Sequence, residues 1–409
     1  MRKILLATTA IVGFAFAGAA QAAAPAPVTV NVGGDIDVLA GLYHEAARTA
    51  PGPDRANHDF ETLYGLNFDI NGKGTGFEYG GKLTLDNNPD ISNAFTGNGN
   101  SVQVDQAYIF LSGGFGKVQL GDSRGATDLS ITAPTVGEGQ VTGRYIDFLD
   151  TTTYAKNFVV GVDGTDHGTN VTYYTPKVGN DMHKVQAAVT YEPNFYSYGA
   201  NVTTIKNSTF GNLTQGNGAS SPYNDVFKGA IAYTGSFNPV TLGLSANVIT
   251  GSSGVTTGFG SPTWIWDAPV GKVKDFTSWE IGAKAAAEGF TLGATYTDLG
   301  RYDTVVSQNK DQHTYTAGLK YEFNKASVGI SYLGGEGYSN LLNSSASGYA
   351  STSQGVNYVK DFNSYGIGGS YAWTSGLTTN LDGVLFDQKT DAGVKNDGYV
   401  LLVSQKLAF

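Results

Sequence analysis

Between Val102 and Asp150 the charged residues gather where the chain is least regular. A strand pattern ends at Leu111, Ser112-Gly113-Gly114-Phe115-Gly116 turns it back, and a short second strand runs from Lys117 to Gly121. The alternation of apolar and polar residues then lapses. From Asp122 to Asp150 the backbone is punctuated by Gly125, Pro134, Gly137, Gly139 and Gly143. This run carries the acids Asp122, Asp128, Glu138, Asp147 and Asp150 with the bases Arg124 and Arg144. Long stretches without regular structure are uncommon in compact proteins and usually functional where they occur. The work of this chain is therefore expected here.

That work does not read as catalysis. The chain has no His-Glu-x-x-His helix. His44, His58, His167, His183 and His313 have no ligand-spaced partners and read as solvated. The pairs Asp86 with Asp90, Asp298 with Asp303 and Asp387 with Asp391 offer the oxygens that calcium uses, but without EF-hand spacing. Gly72-Lys73-Gly74 is followed by a strand pattern instead of a helix, so it reads as a turn and not a phosphate loop. No enzyme activity, cofactor or metal is expected.

The elements around the irregular run are strands throughout. Val30, Val32, Ile36, Val38, Ala40 and Leu42 share one parity, and Asn31, Asp35 and Asp37 the other. This period of two marks a strand with one apolar face. The same unit recurs at 60–71, 77–86, 102–111, 117–121, 169–177, 183–192, 226–234, 240–250, 277–287, 290–298, 313–323, 326–333, 362–374, 377–389 and 396–409. Connections such as 72–76, 288–289 and 324–325 are short, and the alternate ones, such as 193–225, 251–276 and 334–361, are long and polar. Short turns at one end and long loops at the other describe a transmembrane antiparallel β-barrel, here of about sixteen strands.

Composition agrees. The 409 residues include 56 Gly, 24 Tyr and 21 Phe, with only 15% charged residues and no cysteine. That balance suits short strands with aromatic rings at a water–apolar boundary. Without cysteine there is neither a disulfide framework nor a thiolate metal site. Residues 1–22 read as a cleaved signal peptide: Arg2 and Lys3, an apolar stretch Ile4 to Ala19, and Ala20-Gln21-Ala22 as the cleavage site. Residues 23–409 are then the barrel domain, and no later apolar run reaches the ~18 residues of a membrane helix. A formal net charge of −10, more acidic once the leader is lost, excludes nucleic acid as a natural partner.

Parity separates a membrane barrel from a soluble sandwich. The apolar faces carry Tyr and Phe at strand ends with aliphatics between, as in Tyr315, Leu319, Tyr321 and Phe323. Opposite faces hold Lys228, Thr234, Ser245, Asn247, Glu280, Lys284 and Lys320. Lipid outside and water inside require that inversion, and closure leaves no unpaired edge in hydrocarbon.

Ala107-Tyr108-Ile109-Phe110-Leu111-Ser112-Gly113-Gly114-Phe115-Gly116-Lys117-Val118, followed by Leu120-Gly121-Asp122, resembles the strand-turn-strand before the constriction loop of Gram-negative general porins. The C-terminus is similar too: Phe409 is terminal, and Leu407, Val403, Leu401 and Tyr399 share its parity, with Gln405 the interruption. The resemblance is to the sixteen-stranded trimeric, alphaproteobacterial kind and covers essentially the whole mature chain. It implies a homotrimer in outer-membrane lipid and lipopolysaccharide, passing small hydrophilic solutes and ions. It also implies that the third long loop, about 122–150, folds inward. Asp122, Asp128, Glu138, Asp147 and Asp150 then become pore-constriction residues, with Arg124 and Arg144 on the loop and Lys82 on the wall opposite. Charge in a narrow aqueous channel focuses the field and selects ions. The mature chain departs from an arginine-lined wall, with only Arg48, Arg55, Arg124, Arg144 and Arg301. Mild cation preference is expected. A substrate-specific pore, or a non-conducting barrel acting as an adhesin or surface-binding protein, remains the alternative.

Overall fold

The computed structural model describes residues 28–46, 57–87, 102–140, 143–149, 168–194, 223–253, 275–302, 310–338, 358–391 and 393–409. The expected leader, residues 1–22, lies outside them, as does Asp150.

The strands are β1 (Thr29–Glu45), β2 (His58–Gly74), β3 (Phe77–Asp86), β4 (Gln103–Gly113), β5 (Gly116–Asp122), β6 (Thr169–Tyr174), β7 (Val178–Gly179), β8 (His183–Asn194) and β9 (Tyr223–Ser236). They continue as β10 (Thr241–Ser253), β11 (Phe276–Ala287), β12 (Phe290–Asp298), β13 (His313–Phe323), β14 (Ala326–Tyr338), β15 (Tyr358–Thr374), β16 (Leu377–Thr390) and β17 (Lys395–Ala408). All lie in one sheet. β6 and β7 both pair with β8, so they are two parts of a single crossing interrupted at Thr175-Pro176-Lys177, and the barrel has sixteen strands. Proline has no N–H to give a ladder, which explains the break. β1 pairs with β2 on one side and β17 on the other, closing the sheet. The last residue completes the seam: the N–H of Gly34 donates to the carbonyl of Phe409 at 3.0 Å, and the N–H of Phe409 to that of Gly34 at 2.9 Å.

The outer face is apolar and ringed by aromatics at two levels. Trp279, Tyr296, Tyr315, Tyr332 and Tyr365 follow one another on β11 to β15, with ring centroids of 5.3 Å for Trp279–Tyr296, 5.7 Å for Tyr315–Tyr332 and 5.0 Å for Tyr332–Tyr365. Nearer the short turns, Phe290 stacks on Tyr321 at 4.2 Å and Tyr371 meets Trp373 edge-on at 4.9 Å. Aliphatics such as Leu292, Ile330 and Ile367 are exposed between the two rings. Rings with an apolar body and a polar edge settle at the two membrane–water boundaries. Gln405, the polar interruption on β17, is satisfied by β16: its Nε2 donates to the Thr378 carbonyl at 3.0 Å and its Oε1 accepts from Thr379 Oγ1 at 2.6 Å. Thus it adds no unpaired group to the lipid face.

Simple alternation misreads one strand. In β4 the register shifts against β3 between Thr84 and Leu85, with Gln106 opposite the first and Val104 opposite the second. Asp105 is the extra residue of a bulge, which moves Val104 to the outward face of Ala107 and Ile109. The two seemingly mixed faces of Val102–Leu111 resolve into an aliphatic outside and an inside of Tyr108 and Phe110.

Candidate functional site in the barrel lumen

Residues 123–140 and 143–149 lie against the inner wall. Short 3-10 turns, Gly125–Leu129 and Arg144–Phe148, hold its two ends. At the first, the N–H of Ala126 donates to Thr190 Oγ1 on β8 at 2.7 Å, and the Tyr174 hydroxyl on β6 lies 2.7 Å from the Gly125 carbonyl and 3.1 Å from Asp128 Oδ2. Lys228 on β9 reaches to 3.5 Å from the Arg124 carbonyl while paired with Glu192 at 3.4 Å. On β10, Ser245 Oγ accepts from the Ile131 N–H at 2.9 Å, and Asn247 Nδ2 donates to Ser130 Oγ at 2.9 Å. On β16, Asp382 accepts from the Glu138 N–H at 3.0 Å and from Gln140 Nε2 at 3.3 Å. These wall groups all alternate with lipid-facing residues, so they point inward. The loop is bonded to the lumen face at its first end and along its middle.

The far end docks through apolar packing. Tyr145, Phe148 and Leu149 join Leu39, Leu333, Val359, Phe362, Val384, Phe386, Val400 and Leu402 in one buried cluster, with Tyr43 6.2 Å from Phe148 ring to ring. A water-filled barrel would not otherwise tolerate so many apolar groups on inward positions. The sequence did carry the signal: Val400-Leu401-Leu402-Val403 and Val384-Leu385-Phe386 are apolar on both parities. Leu401, Val403 and Leu385 face out, and Val400, Leu402, Val384 and Phe386 face in, under the loop.

The singled-out charges separate into groups. Asp128 and Arg124 are exposed beside the first turn. Glu138 is bridged by Lys406 on β17, 3.3 Å from its Oε1, and Lys406 also lies 3.6 Å from Asp35 Oδ2 on β1. Asp37 stands directly across the β1–β17 ladder from Lys406. Asp35, Asp37 and Glu138 therefore surround one ammonium, and Asp382 holds the backbone of Glu138 from the neighbouring strand. Arg144 and Asp147 pair with each other at 3.5 Å, mostly buried. Asp122 is buried at the end of β5, on the strand parity of Val118 and Leu120. Lys82 faces inward on β3, opposite Asp69 on β2 and Tyr108 on β4 in the ladder. The wall is less poor in bases than the arginine count implies, because lysines supply them. Lys117, with its ammonium 4.2 Å above the Tyr174 ring, and Lys284, Lys320 and Lys406 all take inward positions. Of the acid pairs with calcium chemistry, Asp90 and Asp303 lie outside the described residues and Asp391 faces Lys310. Among the described residues no cluster of ligand side chains is arranged for a metal.

Solved structures similar in shape are outer-membrane barrels of low identity. OmpF of Salmonella typhi, solved with daunomycin, has a TM-score of 0.55 at 14% identity, covering 93% of this chain and 97% of its own. The anion-selective porin of Comamonas acidovorans gives 0.54 at 15%, covering 94% and 100%. OmpT of Vibrio cholerae in a trimer form gives 0.53 at 13%, covering 93% and 99%. No curated protein matches the chain. The family model for Gram-negative porins matches residues 7–391. With a closed barrel, two aromatic girdles and a loop bonded across the inner wall, the chain belongs to the Gram-negative porin family and is an outer-membrane channel protein.

Proposed function

We propose that this chain forms a passive diffusion pore for small hydrophilic solutes and ions, with selection by size and charge where residues 123–149 narrow the lumen. The observation that carries this reading is the loop itself, bonded to Thr190, Ser245 and Asp382 inside the barrel. It presents Arg124, Asp128, Thr132 and Thr135 to the open side. The bonds described fall on β6, β8 to β10, β16 and β17, and the passage runs between the loop and the arc of β2 to β5. There Asp69, Lys82 and Tyr108 face the water. Weak binding and no catalysis fit a wall of single charges and hydroxyls. Refolded protein in a planar bilayer should give stepwise current increments; a folded barrel that carries no current would favour a surface-binding role instead.

The pore is expected to prefer cations mildly. Three carboxylates around Lys406, with Asp382 behind Glu138 and Asp128 exposed further along the loop, leave the narrow region acidic. Fixed charge is felt strongly where low-dielectric walls confine the field. A reversal potential across a potassium chloride gradient should have the cation-selective sign. The anion-selective sign would mean that Lys82, Lys117, Lys284 and Lys320 govern the field, and the preference would fall.

The working form is proposed to be a homotrimer. The outward faces of β17 and β1 to β4 carry a continuous run of large apolar side chains, among them Val403, Leu401, Ile36, Val38, Phe60, Val104 and Ile109, the last 62% exposed, which a neighbouring copy would cover. Native mass measurement in mild detergent should find three copies; a single copy at all protein concentrations would rule this out.

A further inference from the structure

We infer that a row of inward glycines, one on each of six neighbouring strands, fixes how far the loop stands off the wall and so sets the width of the passage. The row is Gly243 on β10, Gly282 on β11, Gly293 on β12, Gly318 on β13, Gly329 on β14 and Gly368 on β15. This rests on the pore reading and goes beyond it, since it assigns the determinant of width to residues that bear no side chain.

The geometry is specific to the loop. A β-carbon built on Gly243 comes 2.9 Å from Ile131 Cδ1, one on Gly282 comes 2.6 Å from the Ile131 carbonyl oxygen, and one on Gly293 comes 2.9 Å from Pro134 Cδ. One on Gly329 comes 2.8 Å from Val136 Cγ2. At Gly318 it would run into the Pro134 carbonyl oxygen, and at Gly368 into the Val136 carbonyl oxygen and Gln140 Nε2. Six collisions, taken in order along the strands, thus track residues 131 to 140 in order along the loop.

The row can be followed in the ladder. Gly243 and Gly293 both pair with Lys284, two residues along β11 from Gly282. Gly293 pairs directly with Gly318 on its other side, and Gly329 with Lys320, two residues along β13 from Gly318, while Gly368 pairs with Gly329. At the β10 end Ser245, two residues along from Gly243, pairs with Gly282, and at the β15 end Gly368 pairs with Asp382. Ser245 and Asp382 are the two side chains that accept the loop's N–H groups from Ile131 and Glu138. The track of glycines is therefore terminated by the two hydrogen-bonding posts that hold the loop down. Glycine within a strand weakens it and commonly marks a site where another backbone approaches closely. Here that backbone is the loop. Pinned at both posts and backed by the wall, the segment 131–138 can yield to an added methyl only toward the lumen axis.

The test is single-channel conductance of Gly293→Ala and Gly318→Ala in a planar bilayer, with Gly369→Ala as the control. Gly369 stands next to Gly368 on β15 but on the outward parity of Tyr365 and Ile367, and a β-carbon there meets nothing closer than the Ser327 carbonyl oxygen at 4.0 Å. Barrel formation is checked for each variant by its heat-dependent shift in electrophoretic mobility. We expect smaller conductance for Gly293→Ala and Gly318→Ala and the parent value for Gly369→Ala. Since the Gly293 collision is with the Pro134 ring, Pro134→Gly should return Gly293→Ala to the conductance of Pro134→Gly alone. That rescue decides the matter even if Gly318→Ala fails to fold. Conductance equal in all folded variants would overturn the inference while leaving the pore reading intact. A rise in conductance would also overturn it, because the row would then be a latch from which the loop detaches. A parent protein that carries no current would instead remove the pore reading on which the inference stands.

Discussion

Lys228 and Glu192 pair at 3.4 Å with neither side chain exposed, under the root of the loop. Breaking a buried pair by removing one partner leaves a charge without its counterion and costs about 3–5 kcal/mol, whereas replacing both with apolar groups is often neutral. Lys228→Met should therefore lower the urea midpoint of the refolded barrel markedly, and the double variant Lys228→Met, Glu192→Leu should recover most of the loss. Asp382 works at the same scale but on the loop. It accepts from the Glu138 N–H and Gln140 Nε2, and hydrogen bonds to a charged group contribute about 1.5–3 kcal/mol each. Asp382→Ala should speed protease cleavage within 131–140 in the folded barrel. Asp382→Asn, which keeps an acceptor oxygen, should do so less.

At the scale of elements, the hairpins depend on backbone conformations that few residues adopt. Between β11 and β12 the two-residue turn has Glu288 at φ 51° and Gly289 at φ 84°. Positive φ at both central positions is the twist that matches right-handed strands. A branched residue held there costs of the order of 1–3 kcal/mol. A β-carbon on Gly289 would also approach the Glu322 carbonyl to 2.7 Å. Gly289→Val is expected to slow barrel formation in lipid vesicles, followed by electrophoretic mobility, with little change in the conductance of the molecules that do fold. The turn lies at the opposite end of β11 and β12 from the long loops, away from the eyelet, so folding and conduction should separate.

For the molecule as a whole, the seam between β1 and β17 is where a sheet becomes a barrel. Its last pair of backbone bonds, between Gly34 and Phe409, belongs to the final residue of the chain. In hydrocarbon an unpaired edge exposes polar groups that no solvent satisfies. Deleting Phe409 should lower the yield of closed, heat-modifiable barrel in vesicles; an unchanged yield would show that the remaining ladder from Asp35 to Glu45 is sufficient for closure.

The barrel was legible in the residues alone. Alternation with period two, aromatic residues near strand ends and short turns on one side are local signals, each set by which residue meets lipid or water, and strands such as 77–86, 290–298 and 313–323 coincide with those observed. The run 122–150 stood out as irregular for the same reason, because loss of alternation is equally local. What that run touches depended on the closed sheet. Lys406 meets Glu138 across 268 positions of chain, and Gln140 meets Asp382 across 242, distances over which no periodicity speaks. The bulge at Asp105 was hidden because one extra residue leaves composition unchanged while reversing every face before it. The glycine row was hidden for a related reason: in each strand its member reads as an ordinary small inward residue, and only pairing brings the six together beneath the loop. A face can be read from one strand, but a site shared by many strands exists only once the sheet has closed.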